Sequence, residues 1–215
     1  MKHIALLTTL LLSASLQAVE KPYDYVFFEN SLMKGDYFYS QAKYTSPSWI
    51  KNARHHLPVA GSVAFTPGNS LELTYVSAPG GDWYSEIQYC PVRGNDFFRE
   101  PSTLSMQVRL RESMNAAALP NIAIRYADST YTQYLNLRNY LKDTRPGVWH
   151  SVSIPLKDFG LNAVNDTNIK KLAAVALRPG TADGNEYTIY LDDIELLPAS
   201  LPSVSALNAP VLQEA

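Results

Sequence analysis

Between residues 24 and 197 the chain alternates between short apolar or strictly alternating runs and clusters of residues that favour turns. In 103–111, Leu104, Met106, Val108 and Leu110 interleave with Ser105, Gln107 and Arg109. That period of two sends one set toward a core and the other away from it. The same pattern predicts strands at 24–30, 70–77, 84–90, 103–111, 121–127, 131–137, 148–155, 171–178 and 186–197. Their separators carry turn chemistry, as in Pro67-Gly68-Asn69, Ala78-Pro79-Gly80-Gly81-Asp82, Arg145-Pro146-Gly147 and Ala182-Asp183-Gly184-Asn185. Nine strands without helical crossovers predict an all-β fold of two packed antiparallel sheets. Residues 31–66 alternate poorly and hold Tyr37, Phe38, Tyr39, Tyr44 and Trp49, so they are expected to form long loops with one or two short strands.

The two ends differ from this body. Lys2 and His3 precede the apolar run Ile4 to Leu12, and Ser13-Ala14-Ser15-Leu16-Gln17-Ala18 follows, the layout of a signal peptide over 1–18 with cleavage after Ala18. The run is too short to span a bilayer. An exported protein, periplasmic or secreted, is expected. Residues 198–215 are small residues punctuated by Pro198, Pro202 and Pro210, the composition of a linker or a disordered tail. The sandwich is thus expected over 19–197, with no internal repeat.

Eighteen Lys and Arg against 20 Asp and Glu leave a formal charge of −2, so no field draws the chain onto nucleic acid or an anionic membrane. The single Cys90 cannot form an internal disulfide and reads as a small buried hydrophobe. His55-His56 lack an identifiable third metal ligand, and His150 has no nucleophile signature beside it. No Gly-x-Ser-x-Gly, phosphate-cradling glycine loop or His-Glu-x-x-His motif occurs. Glu86 and Glu72 are the carboxylates from which a glycosidase pair would be drawn, but the sequence gives them no separation, and a non-catalytic protein is expected.

The alternation also separates the two sides of each strand. Ile87 and Tyr89, Ile122, Ile124 and Tyr126, and Leu135 and Leu137 turn inward. If these strands and 103–111 share one sheet, its outer face collects Tyr84, Glu86, Gln88, Gln107, Arg109, Arg125, Tyr134 and Asn136. Amide and guanidinium groups suit adjacent sugar hydroxyls, and tyrosine rings suit the apolar faces of a pyranose. These eight residues are therefore the candidate site for an oligo- or polysaccharide. A plain solvated face and a docking surface for a neighbouring domain remain open as alternatives.

Four segments in order carry a family resemblance: Val26-Phe27-Phe28-Glu29-Asn30, Leu71-Glu72-Leu73-Thr74-Tyr75, the run from Gly147-Val148-Trp149 to Lys157-Asp158-Phe159, and Tyr187-Thr188-Ile189-Tyr190-Leu191-Asp192-Asp193-Ile194-Glu195-Leu196. Together they resemble the galactose-binding-like jelly rolls used as carbohydrate-binding modules. Thr66-Pro67-Gly68-Asn69-Ser70-Leu71-Glu72-Leu73 with Ser77-Ala78-Pro79-Gly80-Gly81-Asp82-Trp83 is similar to the N-terminal module preceding glucoamylase-like and β-1,2-glucanase-type catalytic domains in exported bacterial enzymes. The resemblance implies a β-sandwich that targets glycans or assists a glycoside hydrolase catalytic domain. An interdomain scaffold without sugar affinity is the competing role. The resemblance also implies a structural Ca2+ joining the first and last strands, with Glu29, Asp192 and Asp193 at the matching positions. A hard cation takes such carboxylate oxygens, with a bulge or only one aspartate used.

Overall fold

The computed structural model describes residues 25–89, 101–162 and 169–198, and places within them twelve strands in two antiparallel sheets. The strands are β1 (Tyr25–Phe28), β2 (Ser40–Thr45), β3 (Trp49–Ile50), β4 (Val59–Ala60), β5 (Ser70–Val76), β6 (Asp82–Gln88), β7 (Pro101–Leu110), β8 (Asn121–Tyr126), β9 (Leu135–Asn136), β10 (Trp149–Pro155), β11 (Leu172–Arg178) and β12 (Glu186–Pro198). The larger sheet runs β10-β7-β12-β5-β3, with β1 on β12 and β4 on β5; the smaller runs β2-β6-β11-β8-β9. Among the described residues the only helical elements are single 3-10 turns, such as Leu137–Asn139 and Leu156–Phe159.

The core lies between the sheets, where the inward sets meet as the alternation predicts. Leu104, Met106, Val108 and Leu110 of β7 are buried against Ile122 and Ile124 of β8 and Ile87 of β6. The polar tips of the two largest fully buried side chains are satisfied: Trp83 Nε1 donates to Ser77 Oγ at 2.9 Å and the Tyr75 hydroxyl to the Ala118 carbonyl at 3.0 Å. The thirteen-residue β12 pairs with β1, β5 and β7, so the closing strand ties the larger sheet together.

Two expectations need correction. The strand at 131–137 shrinks to Leu135–Asn136, because Tyr131 to Tyr134 form an irregular approach held by a single bridge from Tyr131 to Arg125. Residues 31–66 contain three strands, and β2 pairs along its whole length with β6 to make an edge of the smaller sheet. Its sequence, Ser-Gln-Ala-Lys-Tyr-Thr, buries only Ser40 and Ala42, so its alternation is too small in side-chain volume to register as hydrophobic. The expected signal peptide, Cys90 and most of the tail lie outside the described residues.

Candidate functional site

Strand pairing places directly opposed residues on the same face, and along the smaller sheet this builds an open trough. One rung reads Gln41, Glu86, Ala176, Ala123 across β2, β6, β11 and β8. The next pairs Gln88 with Ala174 and Ala174 with Arg125. The central strand therefore offers two alanines to the outer face, and the longer side chains on either side lean over them. The result is a cavity of about 530 Å3 lined by Gln41, Lys43, Tyr84, Glu86, Arg125, Ser129, Tyr131 and Arg178.

Its polar groups form two connected sets. Arg125 Nε lies 2.6 Å from Glu86 Oε1, a carboxylate that is itself buried. The Tyr131 hydroxyl donates to the same oxygen at 3.2 Å and lies 3.2 Å from the Tyr84 hydroxyl. Burial, with the hydrogen bonds to Glu86 and Tyr131, holds the Tyr84 phenol far above its ordinary pKa, so it stays a neutral hydroxyl. In the second set the Arg178 guanidinium carbon sits 5.4 Å from the Tyr84 ring centre and 5.8 Å from that of Tyr134. Arg178 also donates to the Tyr134 hydroxyl at 3.1 Å and to Asp82 at 3.0 Å. Tyr134 stacks on Tyr131 with ring centres 6.0 Å apart.

Five of the eight expected residues thus lie on this sheet and a sixth, Tyr134, directly precedes its strand β9, with unequal parts. Tyr84, Glu86 and Arg125 line the cavity, and Tyr134 flanks it through Arg178. Gln88 faces the same way but lies outside the lining. Asn136 is committed elsewhere: its amide donates to the Leu119 carbonyl and to Asn121 Oδ1, both at 3.0 Å, and its oxygen caps the turn at Arg138. Gln107 and Arg109 do not join the others. Strand β7 pairs with β10 and β12 in the larger sheet, which overturns the expectation that 103–111 shares a sheet with the rest. Glu72 is also on that sheet, paired with Lys51 at 2.7 Å, so it cannot act with Glu86. Among the lining residues Glu86 is the lone carboxylate, whereas glycoside hydrolysis needs two flanking the bond.

Gln41, Lys43, Ser129, Tyr131 and Arg178 also line the cavity without having been expected there. Gln41 and Lys43 belong to β2, inside the stretch whose poor alternation predicts loops. For Arg178 the signal is present: Leu-Ala-Ala-Val-Ala-Leu-Arg over β11 places small residues at the outward positions and an arginine at the end, whereas Ser129 and Tyr131 lie in an irregular segment that alternation does not mark.

Two acids of the other expected site, Asp192 and Asp193, sit at a bulge. The β12 register shifts between Asp192 and Glu195, and Asp193 takes a left-handed conformation at φ 45°. Both carboxylates then address one loop. Asp192 Oδ2 accepts from the Phe65 and Thr66 amides at 2.8 and 3.3 Å, and Asp193 Oδ2 from the Thr66 hydroxyl at 2.7 Å. Burial pushes Asp192 up to about 6 against the pull of these amides. Asp193 Oδ1 is buried with no hydrogen-bond partner. Glu29 follows Phe28, which pairs with Ile194. Among the described residues no three acidic, histidine or cysteine side chains gather as a metal site.

A two-sheet sandwich with a polar, tyrosine-walled cleft on its smaller sheet has the architecture of a carbohydrate-binding module. The chain belongs to the family of carbohydrate binding domain 30, whose model matches residues 24–197. Over all 215 residues it is 99% identical to the exo β-1,2-glucooligosaccharide sophorohydrolase (non-reducing end) of Parabacteroides distasonis, and it spans 30% of that protein. The crystal structure of a β-1,2-glucanase from the same species superimposes with a TM-score of 0.83 at 99% identity, over 90% of this chain and 28% of that one. The family 30 module of a cellulosomal cellulase of Clostridium thermocellum shares the fold at 16% identity, with a TM-score of 0.58 over 83% of this chain and 99% of that one. The chain is thus a carbohydrate-binding accessory module.

Proposed function

We propose that the cleft over Ala174 and Ala176 binds a β-linked glucooligosaccharide and that the chain serves an exported glycoside hydrolase as its glycan-binding module. The supporting observation is the connected set of Glu86, Arg125, Tyr131 and Tyr84, which offers charged and neutral partners for adjacent hydroxyls at the base of an open trough. The near-identical sophorohydrolase makes β-1,2-linked glucose oligomers the first ligands to test. Calorimetry with sophorose, longer β-1,2-glucooligosaccharides and cello-oligosaccharides is expected to give binding to the first two, weakened at least tenfold in Arg125→Ala. No heat with any of them, at ligand concentrations up to tens of millimolar, would overturn the reading. The leader-like segment 1–18 supports export to the periplasm or medium.

The Asp193 region fits a structural Ca2+. A buried carboxylate oxygen without a donor is the kind of atom a hard cation satisfies. Asp193 would supply the carboxylate, with Glu29 and main-chain oxygens of the neighbouring segments completing the set. The ion would supply charge neutralisation where β12 meets the loop at residues 63–66. Asp192 is already engaged by three amides and acts as the brace of that loop.

A further inference from the structure

The outer face of the larger sheet carries a second concentration of large side chains, on the opposite side of the sandwich from the cleft. Register places Trp149 of β10, Arg109 of β7, Tyr190 of β12 and Glu72 of β5 in one rung. Phe65, 49% exposed, meets the Trp149 ring edge-on at 6.0 Å, and Val148 beside it is 43% exposed. The Lys51 to Glu72 ion pair bounds the strip on one side. Within it the Arg109 Nε is buried and has no hydrogen-bond partner among the described residues.

We propose that this rung is the docking surface for the remainder of the longer polypeptide that carries the module. Three observations support that occupant. Trp, Tyr and Arg are the residues that dominate binding energy at protein interfaces, and here they adjoin exposed apolar side chains with a charged pair at the edge. A buried guanidinium donor without an acceptor is costly, and a carboxylate or main-chain carbonyl brought by a partner removes that cost. Both near-identical relatives hold most of their length outside the matched segment, 70% by difference from the 30% spanned in the sophorohydrolase, so a covalently linked partner is at hand at high effective concentration. Docking through this face leaves the cleft of the opposite sheet open to ligand. The inference does not depend on the sugar reading, because it concerns the other sheet.

Ser151 reports on this surface: it is exposed and pairs with Gln107, two residues along β7 from Arg109. Lys43 is exposed on the opposite face and serves as the reference. In a Cys90→Ser background, Ser151→Cys and Lys43→Cys are labelled with a bulky maleimide, both in the 215-residue chain and in the full-length sophorohydrolase, and each site is read by mass spectrometry. The expected result is that Ser151→Cys reacts at least tenfold more slowly in the full-length protein. Lys43→Cys reacts equally in both, and adding Arg109→Ala with Tyr190→Ala restores the rate at position 151. Equal rates for Ser151→Cys in the two proteins would overturn the proposal, as would protection of Lys43→Cys in its place. Protection at 151 that survives the Arg109→Ala, Tyr190→Ala pair would overturn the assignment of these residues as its anchor.

Discussion

Glu86 and Arg125 lie 2.6 Å apart across β11, the strand between theirs, which presents Ala174 and Ala176 on that face where the two side chains meet. Any larger side chain at either position would hold the carboxylate and the guanidinium apart and fill the trough. The site is therefore made as much by what β11 omits as by what its neighbours supply, and the two alanines connect the sheet's topology to its chemistry.

Both side chains are largely buried, with 5% and 16% exposure, and each is the other's ion-pair partner. Arg125→Ala or Glu86→Ala is expected to cost about 3 kcal/mol of stability, since the remaining charge stays desolvated and unpaired. The double variant should cost clearly less than the sum of the two. Urea denaturation of the four proteins gives the cycle, and strict additivity would show that the pair is not coupled.

Arg178 holds the upper wall by lying between Tyr84 and Tyr134. Its side chain is 41% exposed, so Arg178→Ala is expected to change stability by less than about 1 kcal/mol. The loss of its stacking and hydrogen bonds should instead weaken oligosaccharide binding roughly five- to fiftyfold. Arg178→Lys keeps the charge toward Asp82 but not the planar contact, and should recover only part of the affinity. Wild-type binding by Arg178→Lys in calorimetry would assign no role to the stack.

Much of this molecule is legible in its sequence. Nine of the twelve strands follow from alternation, one of them much shortened, and the outward placement of Tyr84, Glu86 and Arg125 follows from parity alone. What parity cannot supply is which strands are neighbours. Ser105, Gln107 and Arg109 alternate as cleanly as any residues in the chain, yet β7 joins the other sheet, because pairing partners are chosen by long-range register that a local pattern does not contain. Strand β2 was illegible for a different reason: as an edge strand with three exposed residues at its end, it lacks the hydrophobic face that marks a strand. The bulge at Asp193 turned on a single residue's left-handed conformation, which the pair Asp192-Asp193 permits but does not announce.

The edge position of β2 also rests on one glycine. A Cβ on Gly81 would lie 2.2 Å from the Ser48 amide nitrogen and 2.7 Å from the Thr45 carbonyl oxygen, both backbone atoms that cannot swing aside. Gly81→Ala is therefore expected to push the 45–48 turn away from β6 and to destabilise the protein by about 2 kcal/mol. Lys43 and Gln41 would shift with it, so binding should weaken even under conditions where the variant stays folded. A melting temperature equal to that of the parent would show that the turn relaxes at no cost.

The bulged aspartates make separable predictions about calcium. If the ion binds only the native protein, stability should rise as RT ln(1 + [Ca]/Kd), about 2.7 kcal/mol at one hundred times Kd, and chelation should reverse it. Asp193→Ala removes the carboxylate proposed as ligand and should abolish the rise in melting temperature. Asp192→Asn behaves differently, because Asp192 accepts the Phe65, Thr66 and Asp193 amides through both oxygens. An asparagine has one acceptor oxygen for these three donors, so the calcium-free protein should lose about 1–3 kcal/mol while its response to calcium persists. Differential scanning calorimetry with calcium and with chelator, on the three proteins, distinguishes brace from ligand. A response that survives Asp193→Ala and vanishes in Asp192→Asn would reverse the two roles, and no response in the parent would remove the ion from the account.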